Sequence, residues 1–239
     1  MVSVRLSFII PAYNEARRIG PTLHDAETYL ARQPFESEII VVDDGSLDNT
    51  AQVVHDSFPG VKLIRYHPNC GKGHAVKVGM QQAVGDIRVF SDADGSTPIQ
   101  ELEKFWPCFD AGADIVIGSR SMPKSDIEVR QHFLRETMGR IFNLFVKSLV
   151  ITGYIDTQCG FKGFTRHASG IVFPRQRLDG FSFDTELLFI AQKHGLRVMQ
   201  VPIRWRNSAR SRVSIFSDSP RMFRDLFRIR INDWLGYYK

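Results

Sequence analysis

The chain has 239 residues, of which 43% are hydrophobic and 24% charged, values that exclude a disordered, collagenous or disulfide-stapled protein and fit one large domain or a domain with an appendage. The net charge of +5 is unevenly spread. From Arg197 onward nine Arg and one Lys face three Asp, giving +7 and leaving −2 for the rest, so the basic end points to phosphate, nucleic acid or an anionic membrane. Cys70, Cys108 and Cys159 are odd in number and far apart, which suggests neither a disulfide framework nor a CxxC metal site and fits a reducing cytosol. The opening apolar run is too short for a signal peptide and meets Pro11. No run reaches the roughly 18 apolar residues of a membrane span; the closest, Ile141 to Ile155, holds Asn143 and Lys147. A soluble or peripheral protein is expected, in the cytoplasm or on the cytoplasmic face of a membrane.

In chain order, Leu6–Ile10, Ile39–Val42, Val61–Ile64, Ile87–Phe90 and Ile115–Ile117 are short apolar runs rich in β-branched residues, the pattern of buried strands. Between them Glu15–Ala31, Asn49–Phe58, Gly73–Ala83 and Ile99–Ala111 carry helical spacing. This alternation predicts an α/β fold with a mostly parallel central sheet and helices on both faces. Beyond Gly118 a long helix is expected over Ile127–Leu149, with Phe133, Leu134, Met138, Ile141, Phe142 and Phe145 apolar. A Gly-rich irregular stretch follows at Asp156–Gly163, then a helix near Asp184–His194, a strand at Val198–Ile203 and a basic helix from Pro220. No internal repeat or low-complexity linker appears. The division expected is a catalytic domain over 1–215 and a basic amphipathic helix over 216–239. In that helix Met222, Phe223, Leu226, Phe227, Ile231, Trp234 and Leu235 make an apolar stripe flanked by Arg221, Arg224, Arg228 and Arg230. Such a helix either packs on the core or lies in an anionic membrane interface.

Ligands of open α/β sheets bind beyond the carboxyl ends of the strands, and those ends are the unusual parts of this chain. They read Pro11-Ala12-Tyr13-Asn14-Glu15, then Asp43-Asp44-Gly45-Ser46 with Asp48 and Thr50, then Ser91-Asp92-Ala93-Asp94-Gly95, then Gly118-Ser119-Arg120. Asn69 and Gly71-Lys72-Gly73 precede the third helix. Asp92 and Asp94, separated by one residue, can share a cavity, and a divalent cation bridging them to a diphosphate relieves their repulsion. An isolated Asp-x-Asp is ordinary turn chemistry; a strand end beside Lys72 turns the balance. Asp43 and Asp44 also suit a turn, with Ser46 or Asp48 capping the next helix, or one of them accepts hydrogen bonds from a base or ribose. No Walker A loop, GxGxxG or GxSxG is present, and the seven His show no metal-ligand spacing.

In order and spacing, PAYNE, VVDDGSLDNT, NCGKGHAVKVG, SDADGS and GSR resemble the inverting glycosyltransferases of family 2. DTQCGFKGF (156–164), FDTELL (183–188) and Arg210-Ser211-Arg212-Val213 narrow the resemblance to polyprenyl (dolichyl) phosphate hexosyltransferases, the glucosyltransferase branch more than the mannosyltransferase one. The resemblance spans nearly the whole chain. It implies a GT-A nucleotide-diphospho-sugar transferase fold with Mg2+ or Mn2+ as cofactor. By motif, Pro11, Tyr13 and Glu15 line the base and ribose pocket with Val41 and Asp43, while Lys72, Asp92, Ala93 and Asp94 complete the donor site and Asp92 and Asp94 hold the metal. Arg120, Arg135, Arg206 and Arg212 are expected to contact donor or acceptor phosphates. Arg212 stands where such families often place Lys, which keeps the charge and changes the hydrogen-bond geometry. Catalytic candidates are Asp94, Asp156 and Asp184; the last two position the acceptor or act as base, and Asp184 also suits a helix N-cap. Many members carry transmembrane helices at one end, so attachment here is expected to be peripheral or through a partner.

The expected reaction is transfer of a hexose, glucose from UDP-glucose before mannose from GDP-mannose, to polyprenyl or dolichyl phosphate. A phosphate monoester with its second pKa near ~6 is already a nucleophile at neutral pH. The rivals are the same fold acting on a soluble or glycan hydroxyl, which needs a true base, and a non-catalytic nucleotide-sugar binding subunit. Nucleic-acid binding has little support, since the aromatics near the basic segment follow helical spacing rather than a stacking platform.

Overall fold

The computed structural model describes residues 4–123, 125–129, 144–146, 148–206 and 215–239. Its strands are β1 (Leu6–Ala12), β2 (Ser37–Asp44), β3 (Lys62–Tyr66), β4 (Ile87–Phe90), β5 (Ile115–Ser119), β6 (Asp126–Val129), β7 (Lys162–Thr165), β8 (Val198–Pro202) and β9 (Arg204–Arg206). Its helices are α1 (Ile19–Leu30), α2 (Thr50–Ser57), α3 (Lys72–Gln82), α4 (Trp106–Asp110) after a 3-10 segment (Ile99–Lys104), α5 (Arg166–Arg175), α6 (Phe183–Lys193) and α7 (Ile215–Trp234). The main sheet runs β3-β2-β1-β4-β7-β5-β8 and is parallel except for β7.

Side chains of a strand alternate between faces, and the alternation here splits the core in two. Ile9, Ile40, Val42, Phe90, Ile115 and Ile117 join one cluster with residues of α3, α5, α6 and α7. Phe8, Ile10, Val41, Val89 and Val116 join the other with residues of α1 and α2 and with Leu102 and Phe105. Strands covered on both sides read as unbroken apolar runs, which is why all seven residues of β1 are buried. Full burial of each such Ile, Val or Phe contributes about 1.5–3 kcal/mol. The five expected strands and the expected mostly parallel, doubly covered sheet are therefore present.

The second half departs from expectation in four places. The segment expected to begin a long helix at Ile127 begins as strand β6, parallel to β9. Two anchors hold it: Ser125 Oγ donates to the Ser119 carbonyl at 2.7 Å and the Asp126 N–H to that of Ile203 at 3.2 Å. Residues 144–146, 148 and 149 are helical; the stretch from 130 to 143, with Phe133, Leu134, Met138, Ile141 and Phe142, lies outside the described residues. The Gly-rich stretch is irregular only as far as Phe161 and then forms β7, inserted antiparallel between β4 and β5. There a Cβ on Gly163 would meet Phe105, Phe109 and Val89 at 3.0–3.2 Å, so a residue that normally weakens a strand is required by packing. Helix α5 was not expected. Helix α7 starts at Ile215, so Pro220 lies inside it rather than at its head.

Candidate active site

The ends of β1 and β2 are stitched together. Asn14, at φ 53°, donates its N–H to Ser46 Oγ at 2.8 Å, and its Oδ1 accepts from Leu47 N at 2.8 Å. The Glu15 N–H reaches Thr50 Oγ1 at 2.7 Å. Asp44 then holds the loop before α3, accepting from Asn69 Nδ2 at 2.7 Å, Cys70 N at 2.7 Å and Gly71 N at 2.9 Å. Gly71 has φ 109°, and a Cβ on it would stand 2.4 Å from the Asp179 carbonyl. That glycine sets Lys72 at the first turn of α3, where its Nζ meets Asp92 Oδ1 at 2.5 Å. Burial opposes the Lys72 charge, but Asp92, Asp184 and Asp94 outweigh it and raise the pKa.

Beyond β4, Asp94 Oδ1 accepts from Ser96 N at 3.0 Å, and Arg18 Nη1 lies 3.6 Å from Asp94 Oδ2. Arg18 also binds Glu15 through Nε at 2.6 Å and Nη2 at 2.5 Å. Gly160 passes so close to Asp92 that a Cβ there would lie 2.2 Å from Oδ2.

These groups open on a cavity of about 820 Å3 bordered by Pro11, Tyr13, Glu15, Lys72, Asp92, Ala93 and Asp94 among others. Seven of the nine expected donor residues thus meet at one place. Val41 and Asp43 stand behind its wall. Val41 belongs to the core, and Asp43 Oδ1 accepts from Ser46 N at 3.1 Å while Oδ2 faces Arg65 at 3.2 Å.

Among the described residues, the remaining candidates Arg120, Asp156, Asp184 and Arg206 do not border the cavity. Arg120 grips Asp156 with N at 3.1 Å, Nε at 2.8 Å and Nη2 at 2.9 Å, and its guanidinium lies over Trp205. Burial alone would raise the Asp156 pKa; the charge and hydrogen bonds of Arg120 outweigh it and hold the carboxyl at about 2. Asp184 is not a helix cap, since Ser182 takes the cap position of α6. Its Oδ1 instead meets the Nζ of Lys162 at 2.5 Å, with both side chains buried. Burial raises the Asp184 pKa, and Lys162 and Lys72 oppose the shift. Lys162 also donates to the Cys159 carbonyl at 2.5 Å. The Arg206 N–H donates to the Ser96 carbonyl at 2.8 Å, which ties β9 to the Asp94 loop. Arg135 and Arg212 lie outside the described residues.

Asp44, Asn69 and Gly71, also marked by the sequence, stand in the strand-end part of the wall, and the sequence reading missed other residues of it. Arg18, at the N-cap of α1, turns back across the preceding turn to pair with Glu15. Arg177, Leu178, Asp179, Gly180 and Phe181 close a second side, and Arg221, Met222, Arg224, Asp225 and Arg228 of α7 the third. No strand-end motif marks these.

The profile of glycosyl transferase family 2 matches residues 7–169. The chain is 36% identical over 254 residues to a dolichyl-phosphate beta-glucosyltransferase of Dictyostelium discoideum, covering 99% of this chain and 77% of that one. It is 37% identical over 241 residues to a dolichyl-phosphate beta-glucosyltransferase of Trichomonas vaginalis, covering 95% and 71%. Among solved structures, a glucosyl-3-phosphoglycerate synthase from Mycobacterium tuberculosis in complex with Mn2+, UDP-glucose and phosphoglyceric acid superposes with a TM-score of 0.70 at 19% identity. The superposition covers 98% of this chain and 80% of that one. At that identity the likeness establishes the fold, which is GT-A.

Proposed function

The chain belongs to glycosyl transferase family 2, and from that membership we propose that it moves glucose from UDP-glucose to a dolichyl or other polyprenyl phosphate with inversion at the anomeric carbon. The observation that carries the reading is the pair Asp92 and Asp94 at the end of β4, open to the cavity, with Lys72 on the first and Arg18 near the second. Its substrates follow the names of the relatives at 36% and 37% identity.

Among the described residues no cluster of three His, Cys, Asp or Glu could hold a metal unaided. The two carboxylates fit Mg2+ or Mn2+ all the same, because such ions at phosphate sites take one or two carboxylates and complete their shell with substrate oxygens and water. Beside Lys72 and Arg18 the Asp92 and Asp94 side chains stay 37 and 20% exposed at the cavity, which leaves carboxylate oxygens accessible to an ion. When bound, the ion supplies Lewis-acid neutralisation of the departing diphosphate. Lys72 adds a second positive charge on the same side, and Pro11, Tyr13 and Glu15 hold the nucleoside.

In the reaction an oxygen of the acceptor phosphate forms a bond to C1 of the sugar while the bond from C1 to the UDP oxygen breaks, so the α-linked donor gives a β-linked product. The monoester is ionised at neutral pH and needs no strong base. Asp156, held at about 2 by Arg120, is poorly suited to be one. We assign Arg120 and Asp156 to a structural clamp that fixes the end of β5 against the 156–160 loop.

Among the described residues no helix is long and apolar enough to cross a membrane. Helix α7 supplies the proposed membrane contact. Phe227, Ile231, Trp234 and Leu235 are 57, 54, 86 and 53% exposed, and a helix with an apolar stripe and basic flanks lies in the interface of an anionic bilayer.

The test is transfer of labelled sugar from UDP-glucose or GDP-mannose to dolichyl phosphate in detergent, with Mg2+ or Mn2+. Organic-phase label from UDP-glucose alone, lost with EDTA, is expected. Label from GDP-mannose alone refutes the donor, and release of UDP without lipid label refutes the acceptor.

A further inference from the structure

The cavity has two poles of charge. The strand-end part carries Glu15, Asp44, Asp92 and Asp94 against Lys72 and Arg18, a net −2, whereas the part built by the loop after α5 and by α7 carries Arg177, Arg221, Arg224 and Arg228 against Asp179 and Asp225, a net +2. The three α7 arginines fall at i, i+3 and i+7, so one helical face presents all of them. Leu226 and Ile229 on a neighbouring face are fully buried and fix the rotation of the helix. Arg228 has Asp225 at 3.3 Å. Among the described residues the guanidinium groups of Arg177, Arg221 and Arg224 pair with no carboxylate; the Arg177 backbone N–H donates to Glu186 at 3.0 Å, and its guanidinium stacks on Tyr237 at 4.8 Å. Guanidinium groups gathered around one cavity repel one another unless an anion joins them, and the anion they match best is a phosphate, which takes bidentate hydrogen bonds from several donors.

We infer that Arg177, Arg221 and Arg224 form a subsite for the phosphate monoester of the acceptor, making α7 the acceptor-binding element. The inference rests on the function proposed above and adds residues to it. Inversion places the attacking and leaving oxygens on opposite sides of C1, so the two phosphate groups must occupy opposite sides of the cavity. The diphosphate belongs with Lys72 and the Asp92–Asp94 floor, which leaves the arginine side to the acceptor. The exposed apolar stripe of Phe227, Ile231, Trp234 and Leu235 continues along the same helix, where an isoprenoid chain attached to that phosphate can run into the bilayer.

The experiment is steady-state transfer in detergent by the full chain and by R221A/R224A, varying dolichyl phosphate and UDP-glucose separately. Each lost guanidinium is expected to raise the acceptor KM roughly tenfold or more, with the donor KM within about twofold, and R221K/R224K should recover part of the loss because it restores charge without the planar fork. An increase confined to the donor KM would assign the arginines to the diphosphate and overturn the inference, as would an unchanged acceptor KM. Binding of inorganic phosphate and of a short, soluble isoprenyl phosphate by calorimetry gives an independent arm. If the wild type transfers nothing to lipid yet binds the isoprenyl phosphate in an Arg221- and Arg224-dependent way, the subsite stands and the proposed reaction falls. If the wild type binds neither anion, the subsite falls whatever the reaction.

Discussion

Lys162→Met removes the ammonium that faces Asp184 at 2.5 Å and donates to the Cys159 carbonyl at 2.5 Å. The side chain of Lys162 is 0% exposed and that of Asp184 only 4%, so water cannot replace the missing partner. Losing one member of a buried ion pair strands the other charge, at a cost of about 3–5 kcal/mol. For a chain of this size that corresponds to a fall in Tm of roughly 6–20 °C. Lys162→Met together with Asp184→Leu removes both charges and is expected to recover at least about 2 kcal/mol of the loss, because apolar groups of similar volume can replace a buried pair with little penalty. Urea denaturation of the wild type, the single variant and the double variant, followed by circular dichroism, measures all three. A double variant as unstable as the single one would show that the pair is not the source of the stability. Turnover by the folded double variant then reports any chemical role of Asp184 apart from its role in the core.

Asp94→Ala should reduce transfer to less than about a tenth of wild type, a barrier change of more than roughly 1.4 kcal/mol, in an assay with saturating Mn2+; a larger residual rate would remove Asp94 from the metal site. Gly160→Ala brings a methyl group to 2.2 Å from Asp92 Oδ2 and should lower the rate and raise the Mn2+ requirement while Tm changes little, whereas unchanged Mn2+ titration would show that Asp92 has room to move. Asp156 titrates at about 2 in the folded chain, below its ordinary 3.8, so its contribution of ~2 kcal/mol is complete above pH 4 and is lost as pH falls towards 2. The stability difference between wild type and Asp156→Asn should shrink by that amount over this interval, and a difference independent of pH would contradict the assignment. Replacing Ile231 and Trp234 by Ser should weaken flotation with phosphatidylserine-containing liposomes severalfold; equal flotation would refute the interfacial placement of α7.

The strands β1, β2 and β5 were legible because burial on both faces gives them apolar runs, and β3 and β4 because β-branched residues still mark their runs, while many of the polar residues that end β1, β2 and β4 border the cavity. Tyr13, Lys72, Asp92 and Asp94 could be read as neighbours since the fold class itself brings strand ends together. What the pattern hides is the strand whose interior is Lys162 and Gly163. A lysine in a central strand contradicts the usual preferences, and only the partner on α6 makes it tolerable. Arg177 and the α7 arginines were hidden for a different reason. They look like the solvated flank of an amphipathic helix, and nothing local reveals that the cavity closes over them. Asp43 and Asp44 show the same limit at closer range: both end β2, but Asp44 borders the cavity and Asp43 turns to Ser46 and Arg65.

The antiparallel insertion of β7 also dictates an order of assembly. Strands β3, β2, β1 and β4 can pair as soon as residue 90 has been made, through connections that are local along the chain. Strand β5 has no neighbour among them, because the place beside β4 belongs to a strand that starts at Lys162. Until β7 arrives, β4 remains an edge with unpaired backbone groups, a natural template for another chain. The loop carrying Gly160 settles against Asp92 only with that same strand. The acidic floor and Lys72 come with β1 to β4, whereas the closing loop comes only with β7, so an incomplete chain ending before β7 carries the nucleotide-binding motifs without the enclosure that makes them a site.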